Sequence, residues 1–405
     1  CLKGTLQDNI DGLVQELVRA QILPVPLQFT ALQDVFAYLN TLPQKMVVVI
    51  DEYPYLKAMN ESATVDSIFQ SIIDNRIANI ALIISGSHIG MMKETLQEKN
   101  ALYGRFAATI KLNELSYLDA AKFYPDKPPY EKAAHFAVFG GSPFVNQMLC
   151  PTATLRENII HTILNPVSPV YLYASQLLLS DYAVKINAER IFAVLGNSKK
   201  RYTEIEDKLD AKKTGNLAKQ MKPLIDLEII TRNNPINKLG DNKKSGFEIN
   251  DNLLRFYFTF LYKNASALQM LGAEAFYNEY IAPVLTEFIS RRFEGICRDY
   301  FSLQVRAGKR RGVRNIGSYY YDDPVHRKNG EFDVVLEYAD GYEIYEAKYY
   351  AQPMTLDEIH REVQQVEAIR ELKVKQLGFI AINGFAEEES PYTYLNGKDI
   401  YAEES

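Results

Sequence analysis

The sequence predicts a multidomain α/β protein, and three observations carry that prediction. Two short, wholly apolar runs, MVVVI (46–50) and IALII (80–84), alternate with helix-like sequence, the pattern of a parallel sheet with helices on its faces. A helical stretch within 166–265 ends in a turn-rich hairpin. The remainder, 275–405, runs helix, hairpin, helix, strand.

Bulk properties set the frame. The chain has 405 residues, 47% of them apolar and 24% charged, which fits an ordinary globular protein with enough material for several cores. There is no apolar run long enough to cross a bilayer and no signal segment at the start, so no membrane partner is expected. Cys1, Cys150 and Cys297 are scattered, with neither metal-ligand spacing nor a disulfide framework, which predicts a reducing cytoplasm. The net charge of −6 excludes a uniformly basic surface but leaves room for a local patch. Arg306, Lys309, Arg310, Arg311 and Arg314 form one basic run, and a solvated loop is its simplest reading. The chain opens on Cys1 rather than Met, a first hint that the natural N-terminus is absent.

The first block, 1–165, carries helical periodicity over 6–23 and 30–42, ahead of the first apolar run. Both apolar runs read as strands buried on both faces. In an open parallel sheet ligands sit beyond the carboxyl ends of the strands. Asp51 and Glu52 fall there, and Pro54 stops the strand from continuing. Asp51 suits a Mg²⁺ held through water, and Glu52 suits orienting an attacking water, the two carboxylate roles a nucleotide triphosphatase needs. Ser85 ends the next strand, where a hydroxyl could sense a γ-phosphate, and Arg105 is a candidate for stabilising transition-state charge. Such an acidic strand end also occurs in ordinary solvated loops.

The second block, 166–265, reads as three helices and a wing. INAERIFAVLGNSKKR is expected as one amphipathic helix with a Gly-Asn stop, Thr203 with Glu206 as a capping box for the next, and KTGNLAKQMKPLIDLEII as a helix running into a strand. That order is a winged-helix domain, whose third helix would be offered to a DNA major groove. Packing against neighbours is the plainer role.

In the third block Asp333 precedes Glu346 by thirteen residues, and Lys348 follows two later. Alternate strand residues share a face, so Glu346 and Lys348 project together and a hairpin could bring Asp333 alongside. Two carboxylates can hold Mg²⁺ at a phosphodiester, and a lysine can orient water and offset phosphate charge. Glu294 on the preceding helix could complete the acidic cluster, with Gln364 or Gln365 on the following helix in support. A surface hairpin with a same-face ion pair is the structural alternative. The five histidines, including His88, His326 and His360, show no paired metal spacing, and the tyrosine runs 319–321 and 349–350 read as strand-face packing.

The ordered strings IDEYPYL, ISGSHIGMM, LYGRFAATIKLNELSYLDAAKFYP and FGGSPFV resemble the archaeal-type ATPase family, a branch of the AAA+/STAND P-loop ATPases, over roughly the first 150 residues. The resemblance implies ATP and Mg²⁺ as cofactors, Asp51 and Glu52 as the Walker B pair and Ser85 as the sensor, with Arg105 carried over less closely. No G-x-x-x-x-G-K-[ST] occurs in the chain. That loop supplies most of the phosphate grip, so poor ATP binding is expected, with truncation preferred over degeneration as the cause. The third block resembles the PD-(D/E)xK nuclease-like domain of unknown function that often follows this ATPase, with FD in place of PD. The implied fold is an incomplete P-loop ATPase sheet with a helical lid, a winged helix and a restriction-endonuclease-like domain. The implied function is an ATP-hydrolysing switch controlling a DNA-binding, nuclease-like domain, with DNA as partner and a homo-oligomer left open. The alternatives are a signal-transducing ATPase whose last domain binds nucleic acid or protein without cutting, and an inert remnant.

Overall fold

The computed structural model describes residues 1–402 apart from 59–61, 76, 180–187, 197, 212–215, 324–327 and 370–371. His326 and the starts of two expected helices, at 186–187 and 213–215, therefore lie outside the described residues. The fold is mixed α/β, and it divides into two compact units, Cys1–Leu112 and Asn113–Ser405.

In the first unit, β1 (Met46–Ile50) and β2 (Ile80–Ile84) pair in parallel, with Met46 opposite Ile80 and Ile50 opposite Ile84. Helix Leu6–Arg19 begins at a Thr5–Asp8 capping box and presents Ile10, Val14 and Leu17 to the core. Helices Leu32–Thr41 and Ser62–Asp74 add Val35, Phe36, Leu39, Phe69 and Ile72. The expectation of strands buried on both faces is corrected here. Val48 and Ile50 face this core, but Val47 is 63% exposed and Val49 56% exposed. An apolar run does not distinguish one covered face from two, because every residue in it is apolar.

The second unit holds a five-stranded sheet in the order β10-β9-β8-β7-β6, formed by Asn315–Asp323 (β6), Lys328–Glu337 (β7), Tyr342–Lys348 (β8), Val374–Ala381 (β9) and Thr393–Asn396 (β10). The β6–β7 and β7–β8 pairs are antiparallel, while β8–β9 and β9–β10 are parallel. One face, with Val334, Leu336, Tyr345 and Ile380, packs on Phe293, Ile296 and Phe301 of the long helix Ala282–Arg306. The other, with Phe332, Val335, Ile344 and Phe379, packs on Ile359, Val363 and Val366 of helix Leu356–Glu367. Residues from Tyr117 to Leu164 share the first of these cores, so the stretch read as the end of the first block belongs to this unit.

The second unit also holds helices Ala188–Leu195, Tyr202–Lys208 and Leu217–Asp226 and a small antiparallel sheet ordered β3-β5-β4, from Lys200–Arg201 (β3), Ile230–Asn233 (β4) and Gly246–Ile249 (β5). The first helix stops at Leu195, just before Gly196 where the stop was expected, and Lys200–Arg201 beyond it is strand. One detail differs from the sequence reading. The second helix is capped by Arg201 and Glu204, whose Oε2 accepts the Arg201 N–H at 2.6 Å, not by Thr203 and Glu206. Pairing of β3 with β5 fixes where the helix can begin, and that partner is distant in sequence.

Candidate functional site

Two places gather the residues singled out from the sequence. In the first unit, β1 ends at Ile50 and the chain turns through Asp51 and Glu52, the latter in the left-handed region with φ 54. A side chain held there is strained and is enriched at functional turns. The turn is locked by backbone bonds from Tyr53 N to Ser85 O and from Ser85 N to Ile50 O, both 2.9 Å. It brings Ser85 Oγ to 2.6 Å from Asp51 Oδ1, and Ser87 N donates to Glu52 Oε2 at 3.3 Å. Gly86 makes this possible, because any Cβ there would overlap the Pro54 ring. Asp51 also borders a hollow lined by Leu6, Leu13, Leu32, Val49 and Leu56.

Arg105 is placed otherwise than the sequence reading had it. Its Nε and Nη2 each donate to Asp74 at 2.9 Å, and its Nη1 donates to the Ala101 carbonyl at 2.9 Å. A residue the sequence reading missed lies just behind the acidic turn. Buried Asp66 accepts from Tyr53 Oη at 2.6 Å, Lys57 Nζ at 2.8 Å and Asn100 Nδ2 at 2.7 Å. Tyr53 and Lys57 are one helical turn apart, so a single carboxylate can hold both. That spacing was readable; the distant acid was not.

The second place is a fork in the large sheet. The β7–β8 ladder ends at Val334 opposite Tyr345, and the next residues outward are Asp333 and Glu346. β8 continues alongside β9 as far as Lys348 opposite Ala381. Asp333, Glu346 and Lys348 thus stand where β7 parts from β8. Lys348 Nζ lies 2.7 Å from Glu346 Oε1 and 3.0 Å from Glu362 Oε1. Arg298 Nη1 holds the Asp333 carbonyl at 2.8 Å.

The electrostatics of the fork are those of crowded, desolvated acids. Burial, with the charge of Asp333 next, pushes Glu294 up to about 8. Burial likewise raises Asp333 and Glu346, while the charge of Arg298 pulls against it at the first and that of Lys348 at the second. Burial opposes the charge of Lys348, but Glu346 and Glu362 outweigh it and raise the ammonium above its ordinary range. Each shift draws protons or cations toward the site. Among the described residues, no three His, Cys, Asp or Glu side chains form a ready ligand set.

The expected glutamine support is corrected. Gln365 Nε2 donates to Tyr321 Oη at 2.7 Å, and Gln364 is exposed. Ile359, Val363 and Val366 turn one face of their helix to the sheet, and it is Glu362 that reaches Lys348. In the basic run, Arg310 is also claimed by the fold. It pairs with Glu343, donates to Tyr345 Oη at 3.0 Å and lies 4.8 Å over the Phe301 ring, leaving Arg306, Lys309, Arg311 and Arg314 exposed.

Both places lie within stretches that match family models. Residues 5–143 match a family described as an ATPase domain predominantly from Archaea, and residues 257–363 match one described as archaeal and bacterial proteins of unknown function. The likeness to an archaeal-type ATPase thus covers residues 5–143. A relative, the uncharacterized protein MJECL04 of Methanocaldococcus jannaschii, is 29% identical over 273 residues, which is 65% of this chain and 60% of that protein. The chain thus spans about 60% of the length of that relative. Among solved structures, protein VC1899 from Vibrio cholerae aligns with a TM-score of 0.24 at 8% identity, over 91% of this chain and 92% of that one. Can2 from Sulfobacillus thermosulfidooxidans, in complex with cyclic tetra-adenylate, aligns at 0.23 and 9%, over 92% and 94%. Among the described residues, no helix is long and apolar enough to cross a membrane.

Proposed function

We propose that the protein is an ATP-hydrolysing switch whose last segment acts on DNA as a Mg²⁺-dependent nuclease. The observation that carries the nuclease half is the seat of Lys348 between Glu346 and Glu362, at a fork that also places Asp333 next to Glu346. Asp333 and Glu346 fit a hard cation that takes one or two carboxylates and completes its shell with water and phosphate oxygens. Mg²⁺ bound there supplies Lewis-acid charge for a phosphodiester and acidifies a water. Lys348 is held charged, so it serves by orienting that water and offsetting phosphate charge rather than by taking a proton. Glu294, with its carboxyl near pH 8, stands as the group that can hold or release a proton beside Asp333.

In the first unit the residues present fit half of a nucleotide site. Asp51 and Ser85 suit a hydrated Mg²⁺, and Glu52 suits a water. The triphosphate grip has no residues in this chain, so no hydrolytic step is assigned to it and weak ATP binding is the expectation. The open apolar face of Val47, Val49 and Ile83 is where further sheet or helix carrying that grip would pack in a longer protein, since parallel strands are covered on both faces. The three helices and small sheet support a winged helix, with Leu217–Asp226 as the helix offered to DNA. Cytoplasmic location and homo-oligomer formation remain part of this reading.

A second reading, binding without cleavage, is favoured by the lack of a ready three-ligand set among the described residues. Incubation of supercoiled plasmid with the chain and Mg²⁺ separates the two. Nicking that is lost in Asp333→Ala and Lys348→Ala supports the first. Retention of plasmid with no nicking, unchanged by either substitution, supports the second.

A further inference from the structure

Lys199 belongs to the segment of three helices and small sheet, yet its ammonium is paired with Glu331 of β7. Glu331 lies two residues before Asp333 and so on the same face of that strand. The route of the lysine is built into the fold. Its stem crosses Gly246 of β5, where any Cβ would overlap Lys199 Cγ and Cδ. The pairing segment is itself anchored to the sheet, with Asn237 Nδ2 donating to the Tyr320 carbonyl at 2.7 Å and Tyr320 N donating to Asn237 Oδ1 at 3.0 Å. Glu362 is tied in the same manner, to Lys348. Three carboxylates at the fork, Glu331, Glu346 and Glu362, are therefore engaged by lysines.

We propose that Lys199 is a phosphate-binding residue for nucleic acid at the fork, and that Glu331 occupies its ammonium until a phosphodiester takes that place. The inference rests on the phosphodiester reading of the fork given above. A phosphodiester carries the same single charge as a carboxylate and forms a comparable charge-assisted hydrogen bond, so the exchange conserves charge. Lys199 is the more accessible partner, with its side chain 34% exposed against 19% for Glu331. Release leaves Glu331 anionic beside Asp333, where it adds an oxygen ligand to the cation held by Asp333 and Glu346. Nucleic acid and cation then bind with positive coupling, and the coupling is reciprocal.

The test is titration calorimetry on the full chain with Mn²⁺, with and without a phosphorothioate oligonucleotide. The oligonucleotide should raise Mn²⁺ affinity by about 5-fold or more. Lys199→Met should move the two affinities in opposite directions, weakening the oligonucleotide and tightening Mn²⁺ measured alone. Gly246→Ala, which displaces the lysine stem without changing any charge, should repeat this in weaker form, and Glu331→Gln should abolish the oligonucleotide's effect on Mn²⁺. Thermal denaturation confirms that each variant is folded. A Lys199→Met protein with both affinities unchanged, or both reduced, overturns the inference while Mn²⁺ binding that is lost in Asp333→Asn upholds the fork. No Mn²⁺ binding by the unsubstituted chain overturns both.

Discussion

Ser85 Oγ and Asp51 Oδ1 lie 2.6 Å apart across the ends of β1 and β2, which ties the hydroxyl expected to sense a phosphate to the carboxylate expected to hold its metal. The same economy recurs at the fork, where one lysine serves two carboxylates. At the first place the adjoining strand supplies the partner of the acid, whereas at the fork Glu346 and Lys348 share β8 and helix Leu356–Glu367 supplies the second acid, Glu362.

The buried ion pair behind the acidic turn gives a prediction for stability. Lys57 and Asp66 have side chains 1% and 4% exposed. Lys57→Met leaves the buried Asp66 carboxylate without its counter-ion and should cost about 3–5 kcal/mol in the first unit. Urea denaturation of the variant checks this, and a loss below about 1 kcal/mol contradicts it.

Glu294 gives a pH dependence. Its carboxyl titrates near 8 in the folded chain against an ordinary 4.5. The folded state holds that proton more tightly, so the stabilising contribution is full below about 4.5 and is lost as pH rises through about 8. Glu294→Gln should flatten the fall in Tm across this window and raise Tm at its alkaline end. A Tm profile parallel to that of the unsubstituted chain would count against the assignment.

How far such features were legible depended on range. The Asp51–Glu52 strand end and the shared face of Glu346 and Lys348 follow from local periodicity, and both stand in the structure. Glu362 was out of reach because its partner lies on a different element, and the choice between it and Gln364 or Gln365 rests on how one helix is rotated against the sheet. Lys199 and Glu331 are separated by 132 positions, and nothing local marks the lysine as different from its neighbour Lys200. Arg105 had the right charge for catalysis, but charge alone did not reveal Asp74.

The open face of β1 gives a test that touches no site residue. Val49 is 56% exposed, so Val49→Lys should change the stability of this chain by no more than about 0.5 kcal/mol. In a longer protein that covers this face, the same substitution should destabilise markedly. Equal, small effects in both would show that the face stays uncovered.

The fork as a cation site is tested most directly by anomalous diffraction at the manganese edge, from crystals of the chain grown with Mn²⁺ and an uncleavable oligonucleotide. The account predicts a peak bridged by the carboxylates of Asp333 and Glu346, with a phosphate oxygen completing the shell. Bound oligonucleotide with no anomalous density between those two side chains would contradict it.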